Sequence, residues 1–502
     1  MPTQRLVPTV LILALVLTAC STSPTTWDAA QRAVAAMGGA ASVQGIDIIV
    51  LSGGEGTRNR LGQLFEDGAA DPEATLSMVE TTLDLAGDRS AFEYDVSLAS
   101  GFMQHRIEVL TEYDGQRIGY SINNNGRMAS SPGGLFSWGP ENSPLRILRR
   151  DPVTILLGAA ASGAGGAPLA EVEFNGSTRL YGTITTSWGE EIGLYFDPDS
   201  DLLVGFETLE TEPMLGDVAG RYSLGDYRES GGVLLPHRVT IVKDGTPFSD
   251  VRYVSIEVNP GPPAIFAVPE DLADQAAQAA LEDNTAPLAW TPVADGVFHV
   301  VAYSHHSMVV EFPTFVAVVE APYTEIQSLA LAARIEAEIP GKPIRYAAVT
   351  HPHWDHTGGV RGIASTGATV LLASGHENQM RRVIGAPHTN PPDRLEEARR
   401  AGSAGTIEAY DGMWSTTEGD QSLALYEVSG SPHVEPVVLA WVPSAGVLFQ
   451  SDLFFPGTGG GSPASAHLLE AIRELGLDVR TMVGGHGGVG PFSELVAANT
   501  GD

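Results

Sequence analysis

The sequence contains a single cysteine, Cys20, in 502 residues. One thiol excludes an intramolecular disulfide, even in an oxidising compartment. Stability must therefore come from apolar cores. Hydrophobic residues make up 43% of the chain and charged residues 18%, a composition that can order compact domains. A chain of this length is expected to form two domains.

Basic residues are scarce as well. The chain has 28 Lys and Arg against 61 Asp and Glu, which gives a formal net charge of −33. Acidic residues outnumber basic ones in both halves of the chain, so neither half offers a basic surface that could displace counterions from a phosphate backbone. The composition argues against nucleic acid as a partner and leaves a small molecule as the expected substrate.

The N-terminus has the pattern of an export signal. Arg5 precedes the apolar run Leu6–Leu17, which is too short to span a bilayer of about 30 Å. We predict a signal peptide over residues 1–19. The segment Leu17-Thr18-Ala19-Cys20 resembles the lipobox of bacterial lipoproteins, which implies cleavage before Cys20 and a lipid on its thiol. The alternative is a plain signal peptide with a coincidental cysteine.

A lipidated Cys20 has two consequences. The mature protein would be anchored to a membrane of the bacterial cell envelope, facing the periplasm. No thiolate would remain to bind a metal, so any metal site must be built from histidines and carboxylates.

Residues 20–283 predict a β-rich N-terminal domain. Apolar and polar residues alternate along short runs that end in Gly, Asn or Asp, as in antiparallel strands. Lys243-Asp244-Gly245-Thr246 is a predicted hairpin turn. The domain resembles the lipid-handling half-barrels of bacterial envelope lipoproteins. A helix over Leu272–Leu281 is expected to end it, followed by a linker at residues 284–290.

Residues 291–502 show a different pattern, in which strands alternate with helices. Thr324–Ile339 predicts an amphipathic helix, and Ile344–Thr350 predicts a buried strand that runs directly into His351. This alternation indicates an α/β layered domain.

The segment His351-Pro-His353-Trp-Asp355-His356 places four potential metal ligands within six residues. Burying three imidazoles and a carboxylate together would be costly without a cation to compensate their desolvation. The alternative is a solvated turn. We interpret the cluster as a metal site.

This segment resembles the His-x-His-x-Asp-His signature of the metallo-β-lactamase superfamily, and Thr350 and Thr357-Gly358-Gly359 beside it also match. The resemblance extends over residues 290–495. Three later segments match the superfamily pattern in order: Gly430-Ser-Pro-His433, Gln450-Ser-Asp452 and Gly484-Gly-His486-Gly487-Gly488. It implies an αββα sandwich, in which two β-sheets pack face to face with helices outside and the site at one edge.

The resemblance also implies a ligand set. The first ion would be held by His351, His353 and His433. The second ion would be held by Asp355, His356 and His486, and Asp452 would bridge the two. Two Zn²⁺ ions are expected, although the second site also suits iron or manganese. A hydroxide bridging the ions would be the nucleophile, and Asp355 would orient it.

Two features beside the ligands carry further expectations. Val319-Glu320-Ala321-Pro322 departs from the superfamily, where many members have Asp followed by Thr or Ser and Gly. Glu320 is expected to support the ligands rather than to bind metal. His305 and His306 lie where the superfamily often has a loop over the site, which makes them candidate substrate contacts. The alternative is an exposed loop pair.

The expected activity is hydrolysis of an ester, lactone, thioester or lactam carbonyl. A carboxylate at Asp452 and the absence of a cysteine from this domain argue against the lactamase branch with a cysteine ligand, and slightly favour lactone cleavage. The alternative is an envelope carrier protein for lipid or another small molecule, with an inherited metal site.

Overall fold

The structure is a computed structural model that describes residues 24–59, 73–98, 103–124, 126–130, 144–161, 168–261, 263–279, 288–302, 305–457 and 460–500. The predicted signal peptide and Cys20 lie outside these residues. No helix in the described ranges is both long and apolar enough to cross a bilayer.

The first part of the chain forms one large antiparallel sheet of 14 strands. Its neighbours run in the order β6-β5-β4-β3-β2-β1-β13-β12-β11-β10-β9-β8-β7, and β14 also pairs with β1. The strands are β1 (Ile48–Asn59), β2 (Glu73–Asp84), β3 (Arg89–Leu98), β4 (Met103–Tyr113), β5 (Gln116–Asn123), β6 (Gly126–Ser130), β7 (Ala170–Phe174), β8 (Ser177–Thr185), β9 (Glu191–Phe196), β10 (Leu203–Glu212), β11 (Gly216–Ser230), β12 (Val233–Lys243), β13 (Thr246–Arg252) and β14 (Ser255–Val258).

Tight turns connect most neighbouring strands of this sheet. Asp244 and Gly245 join β12 to β13 with positive φ angles of 44° and 83°, the left-handed conformation that such a two-residue turn requires. The hairpin turn predicted from the sequence is therefore confirmed.

Helices cover one face of this sheet. They are α1 (Thr26–Ala36), α2 (Ala40–Gln44), α3 (Pro144–Arg149) and α4 (Pro152–Ala161), while α5 (Ala273–Ala279) follows the sheet. Helix α1 begins with a capping box in which Thr25 and Asp28 exchange side-chain and backbone hydrogen bonds. Ala33 of α1 and Leu156 of α4 share an apolar core with Phe206 of the sheet.

Asp151 caps α4 from a buried position. Its Oδ1 accepts hydrogen bonds from the backbone N–H groups of Val153 (3.0 Å) and Thr154 (3.1 Å). Burial outweighs these hydrogen bonds and raises the pKa of Asp151 to about 6. The folded state therefore binds the Asp151 proton more tightly than the unfolded chain does, and stability falls as the pH rises from about 4 to about 6.

We expect Asp151→Asn to stabilise the protein above pH 6, because asparagine caps a helix as well as aspartate does and carries no charge. A shift of roughly 2 pKa units corresponds to about 3 kcal/mol at most. Denaturant unfolding at acidic and mildly alkaline pH measures the effect, with the exposed Asp274→Asn as the control. A gain that is the same at both pH values would contradict the assignment.

The second part of the chain contains two smaller sheets. The front sheet has seven strands in sequential order, of which β18 to β21 are parallel: β15 (Ala289–Ala294), β16 (Val297–Ala302), β17 (His305–Glu311), β18 (Val316–Val319), β19 (Ile344–Ala348), β20 (Thr369–Ala373) and β21 (Ile407–Tyr410). The back sheet has six, of which β25 and β26 are parallel: β22 (Met413–Glu418), β23 (Gln421–Val428), β24 (Val437–Val442), β25 (Val447–Gln450), β26 (Thr481–Gly484) and β27 (Val489–Pro491).

The two sheets pack face to face. Val310 and Ala348 of the front sheet share one buried cluster with Leu425, Phe449 and Val483 of the back sheet. Helices lie on both outer faces: α6 (Glu325–Glu338), α7 (Trp354–Thr357), α8 (Val360–Ser365), α9 (Glu377–Gly385) and α10 (Arg394–Ala401) accompany the front sheet, and α11 (Pro463–Glu474) and α12 (Phe492–Thr500) accompany the back sheet. The predicted fold class, an αββα sandwich preceded by a mostly antiparallel β domain, is confirmed.

The predicted linker at residues 284–290 is only partly described. Residues 284–287 lie outside the described ranges, while Ala289 and Trp290 already belong to β15 and pair with Val301 and Val300 of β16. The strand therefore begins inside the predicted linker, because these two residues join the front sheet. The domain limits themselves stay predictions.

Candidate metal centre

The predicted ligands converge at one edge of the sandwich because each follows the end of a strand. His351 and His353 lie in the connection from β19 to α7, and Asp355 and His356 belong to α7 itself. Asp452 follows β25 and His486 follows its parallel neighbour β26. The carboxyl ends of parallel strands meet at the same edge of a sheet, so loops far apart in sequence share one site.

His351, His353, His433 and Asp452 form the first group, and one potential ligand atom from each lies within 4.8 Å of the others. The Nε2 atom of His433 lies 3.1 Å from Nδ1 of His353 and 2.8 Å from Oδ2 of Asp452. The Nε2 atom of His351 lies 3.6 Å from the same oxygen. These are spacings that ligands of one ion adopt when each binds at about 2.0–2.2 Å.

Asp355, His356 and His486 form a second group, which His305 joins. Asp452 lies between the groups: its Oδ1 is 2.8 Å from Nε2 of His486, and its Oδ2 is 3.4 Å from Nε2 of His356. Oδ2 also lies 2.8 Å from Nε2 of His433 in the first group, so Asp452 contacts both groups.

Protonation states suit ligation in the first group. Burial lowers the pKa of His351 well below its ordinary range and that of His353 to about 4. Burial alone would raise the pKa of Asp452, but His356 and His486 outweigh it and hold that pKa well below its usual range. His351 and His353 are therefore neutral imidazoles and Asp452 is an ionised carboxylate, the forms that bind metal.

Two observations test whether these residues fit a metal. The buried Nε2 atom of His351 makes no hydrogen bond to any described residue, as expected if it faces an ion. In contrast, burial would lower the pKa of His356, but Glu320 and Asp452 outweigh it and raise that pKa well above its ordinary range. Without a metal, His356 therefore holds a proton where a cation is expected. Both observations fit a metal centre.

The carboxylate of Glu320 contacts residues of this centre. Its Oε2 lies 3.0 Å from Nδ1 of His356, and its Oε1 accepts a hydrogen bond from Thr350, whose Oγ1 lies 3.0 Å from Nδ1 of His351. A Cβ atom at Gly485 would lie 2.9 Å from Glu320 Oε2, so glycine is needed for this close approach. Glu320 therefore contacts candidate ligands of both groups, directly at His356 and through Thr350 at His351.

Strained backbone marks the same edge. Glu320, Tyr323 and Asp452 have positive φ angles of 66°, 59° and 64°, in the left-handed region that residues with a Cβ rarely adopt. Such strain persists only where the surroundings enforce it, and it is often found at functional sites.

The structure separates the two candidate substrate contacts. His305 reaches the second group, with Nε2 lying 3.0 Å from Oδ2 of Asp355. His306 points to the other face of β17, where its Nδ1 lies 3.0 Å from Nε2 of His299 and its side chain is buried. The expectation of a substrate contact is wrong for His306, because alternation along a strand turns adjacent side chains to opposite faces.

Comparison with known families supports the site. Residues 300–486 match the family model of the metallo-beta-lactamase superfamily, and this range spans every residue of both groups. This part of the chain belongs to that superfamily. No curated protein matches the chain.

Several solved structures also resemble the metallo-β-lactamase region. The mono-zinc form of FIM-1 from Pseudomonas aeruginosa is 18% identical, covering 43% of this chain and 94% of that one, with a TM-score of 0.34. The enzymes of Pontibacter korlensis and Hirschia baltica are each 16% identical over 42% of this chain and 96% of theirs, with TM-scores of 0.33 and 0.32. The family assignment rests on the family model.

One contact with the metallo-β-lactamase region was not predicted. The turn between β10 and β11 of the large sheet reaches α7, the helix that carries Asp355 and His356. Met214 in this turn is buried in one apolar cluster with Tyr323 and Trp354, and its sulfur accepts a hydrogen bond from Thr357 at 3.7 Å. Trp354 lies between His353 and Asp355 in the signature, so the large sheet packs directly behind these candidate ligands.

Hydrogen bonds also attach the start of β11, directly after this turn, to Pro387 and Thr389. The backbone N–H of Asp217 donates to the carbonyl of Pro387 at 2.7 Å, and Oδ2 of Asp217 accepts from the backbone N–H and Oγ1 of Thr389 at 2.9 and 2.7 Å. A methionine between two turn residues gives no sequence signal for such a contact. In the structure, Gly216 marks the close approach of the two parts of the chain, because a Cβ there would lie 2.4 Å from the carbonyl oxygen of Pro387.

We expect Met214→Ala to destabilise the protein by about 2–4 kcal/mol, because truncating a buried methionine leaves a cavity between the two parts of the chain. Denaturant unfolding measures this change. Met103→Ala is the matched control, because Met103 is 71% exposed. Equal stability of the two variants would show that the turn does not pack as described.

Proposed function

We propose that the protein is a metal-dependent hydrolase with two ions, which cleaves an ester, lactone, thioester or lactam bond. The observation that carries the proposal is the placement of Asp452, whose Oδ2 lies 2.8 Å from His433 of the first group and whose Oδ1 lies 2.8 Å from His486 of the second. A carboxylate shared in this way suits a pair of ions about 3.5–4 Å apart. Zinc is the expected metal, with iron or manganese as alternatives in the second group.

Two bound ions would supply a water molecule activated near neutral pH and a Lewis acid for the substrate carbonyl. The protein's own residues set the geometry. Asp355 is ionised, because His356 and His305 outweigh the effect of burial and hold its pKa well below its usual range. An ionised carboxylate accepts a hydrogen bond from water, so Asp355 would orient the attacking water.

The accessible side of the centre supports a role in substrate binding. Side chains at the first group differ in exposure: His433 is 28% exposed and His351 is fully buried. A substrate would therefore approach past His433.

Lactone cleavage ranks slightly ahead of β-lactam cleavage, because Asp452 stands where one lactamase branch uses cysteine. Lipidation of Cys20 would place the enzyme in the bacterial envelope, which mass spectrometry of the N-terminal peptide tests.

The test uses the full chain purified without chelator. We expect two metal ions per chain by elemental analysis and turnover of at least one member of a panel of lactones, esters, thioesters and nitrocefin. A chelator should abolish turnover, and Zn²⁺ should restore it. Less than one ion per chain, or no turnover of any panel member, would contradict the proposal. A carrier protein would instead copurify with lipid and keep its binding after chelation.

A further inference from the structure

His305 occupies a position that the superfamily signature does not assign. It is the first residue of β17, and its buried side chain points away from His306 toward the second group. Its ring centre lies 3.9 Å from that of His486 and 4.9 Å from that of His356. His305 is therefore packed among the potential ligands of the second ion.

Both ring nitrogens of His305 have defined neighbours. Nδ1 contacts the hydroxyl of Tyr323, and Nε2 lies 3.0 Å from Oδ2 of Asp355. A ligating histidine commonly uses one nitrogen for the metal and the other for a hydrogen bond that fixes the ring. In His305, Nδ1–H would donate that hydrogen bond to the hydroxyl oxygen of Tyr323, which leaves Nε2 directed at the second group.

We propose that His305 is a fourth protein ligand of the second ion, through Nε2. The inference rests on the proposed centre with two ions. One potential ligand atom each from His305, Asp355, His356 and His486 lies within 4.8 Å of the others. Two atoms that each bind one ion at about 2.1 Å lie roughly 3.0–3.4 Å apart at angles between 90° and tetrahedral. The separation of His305 Nε2 and Asp355 Oδ2 is in this range.

With His305 as a ligand, the two ions would differ in their number of protein donors. Three imidazoles and Asp355 complete four donors around the second ion before Asp452 is counted. The first ion has His351, His353, His433 and the shared Asp452. The first ion would therefore have four protein donors against five for the second, so a substrate would reach the first ion more readily, on the side where His433 is partly exposed. The substrate carbonyl would bind there, while the second ion stays enclosed.

Cobalt titration of the metal-free full chain tests the assignment. Wild type is compared with His305→Gln and with His306→Gln, the adjacent buried histidine that faces away from the site. We expect His305→Gln to bind the first Co²⁺ ion normally and the second at least 100-fold more weakly, above the upper end of the loss expected when only an outer partner of a ligand is removed. The visible spectrum of the second ion should change, whereas His306→Gln should resemble wild type.

The outcomes separate this inference from the proposed function. If folded His305→Gln binds two ions with the wild-type spectrum and affinity, His305 is no ligand and the centre with two ions stands. If wild type binds no second ion, both fall. A crystal structure of zinc-loaded wild type needs no variant: Nε2 should lie about 2.0–2.1 Å from the second ion, and a distance beyond about 3 Å overturns the assignment.

Discussion

Replacing Asp452 with alanine should lower hydrolysis by about 10³-fold or more and leave the chain unable to hold two ions. Several kcal/mol of transition-state stabilisation depend on the metals, and each 1.36 kcal/mol corresponds to a factor of ten in rate. Asp452 contacts His433 and His486, one from each group, both at 2.8 Å. Its removal therefore disturbs both groups at once, unlike the removal of any one histidine.

Elemental analysis and steady-state kinetics of Asp452→Ala measure these two effects together. Asp420→Ala is the matched control, because Asp420 is an exposed aspartate in the turn between β22 and β23. Asp452→Asn tests whether metal binding and activity need the charge of Asp452 or only its shape, since the amide keeps the size and one acceptor oxygen. Full activity with two bound ions in Asp452→Ala would refute the bridging role.

The candidate ligands could be named from the sequence because part of the pattern is local and the family resemblance supplied the rest. Four of the residues lie within His351–His356, and the three others each follow a strand in a short Gly- or Ser-containing segment. The strand and helix periodicity of residues 291–502 likewise indicated the layered fold. Such periodicity can be recognised without knowing the tertiary contacts, because the spacing of apolar residues shows which side of each helix or strand is buried.

The contacts that sequence could not supply are those between distant elements. The register of β17 decides that His305 faces the second group and His306 faces His299. Two adjacent histidines carry no information about which one points to the site. Met214 is a further case, because its burial depends on where the large sheet meets α7.

The large sheet also shows where periodicity was insufficient. Strand β2 (Glu73–Asp84) was not predicted, although it pairs with both β1 and β3. Its register shifts at Met78, which has a positive φ of 53°. A bulge of this kind interrupts the alternation of apolar and polar residues, so the strand escapes a search for period two.

Glu320→Gln should weaken metal binding by about 10–100-fold, the range found when the outer partner of a ligand is lost. The carboxylate of Glu320 is buried and lies 3.0 Å from Nδ1 of His356. Glutamine keeps the size but loses the charge that makes the opposite nitrogen of His356 a stronger donor to a cation. Competition with a metal-binding dye measures the change, and Glu474→Gln, on the exposed end of α11, is the control.

The effect of Glu320→Gln on metal affinity should depend on pH. Burial lowers the pKa of His356, but Glu320, Asp452 and Asp355 together outweigh it, and Glu320 is the largest of these charges, so protons compete with metal at His356 in the wild-type chain. Glu320→Gln weakens both the metal and the competing proton. The affinity ratio of wild type to variant should therefore be largest at mildly alkaline pH and shrink as the pH falls. A ratio that grows toward acidic pH would show that Glu320 acts through something other than His356.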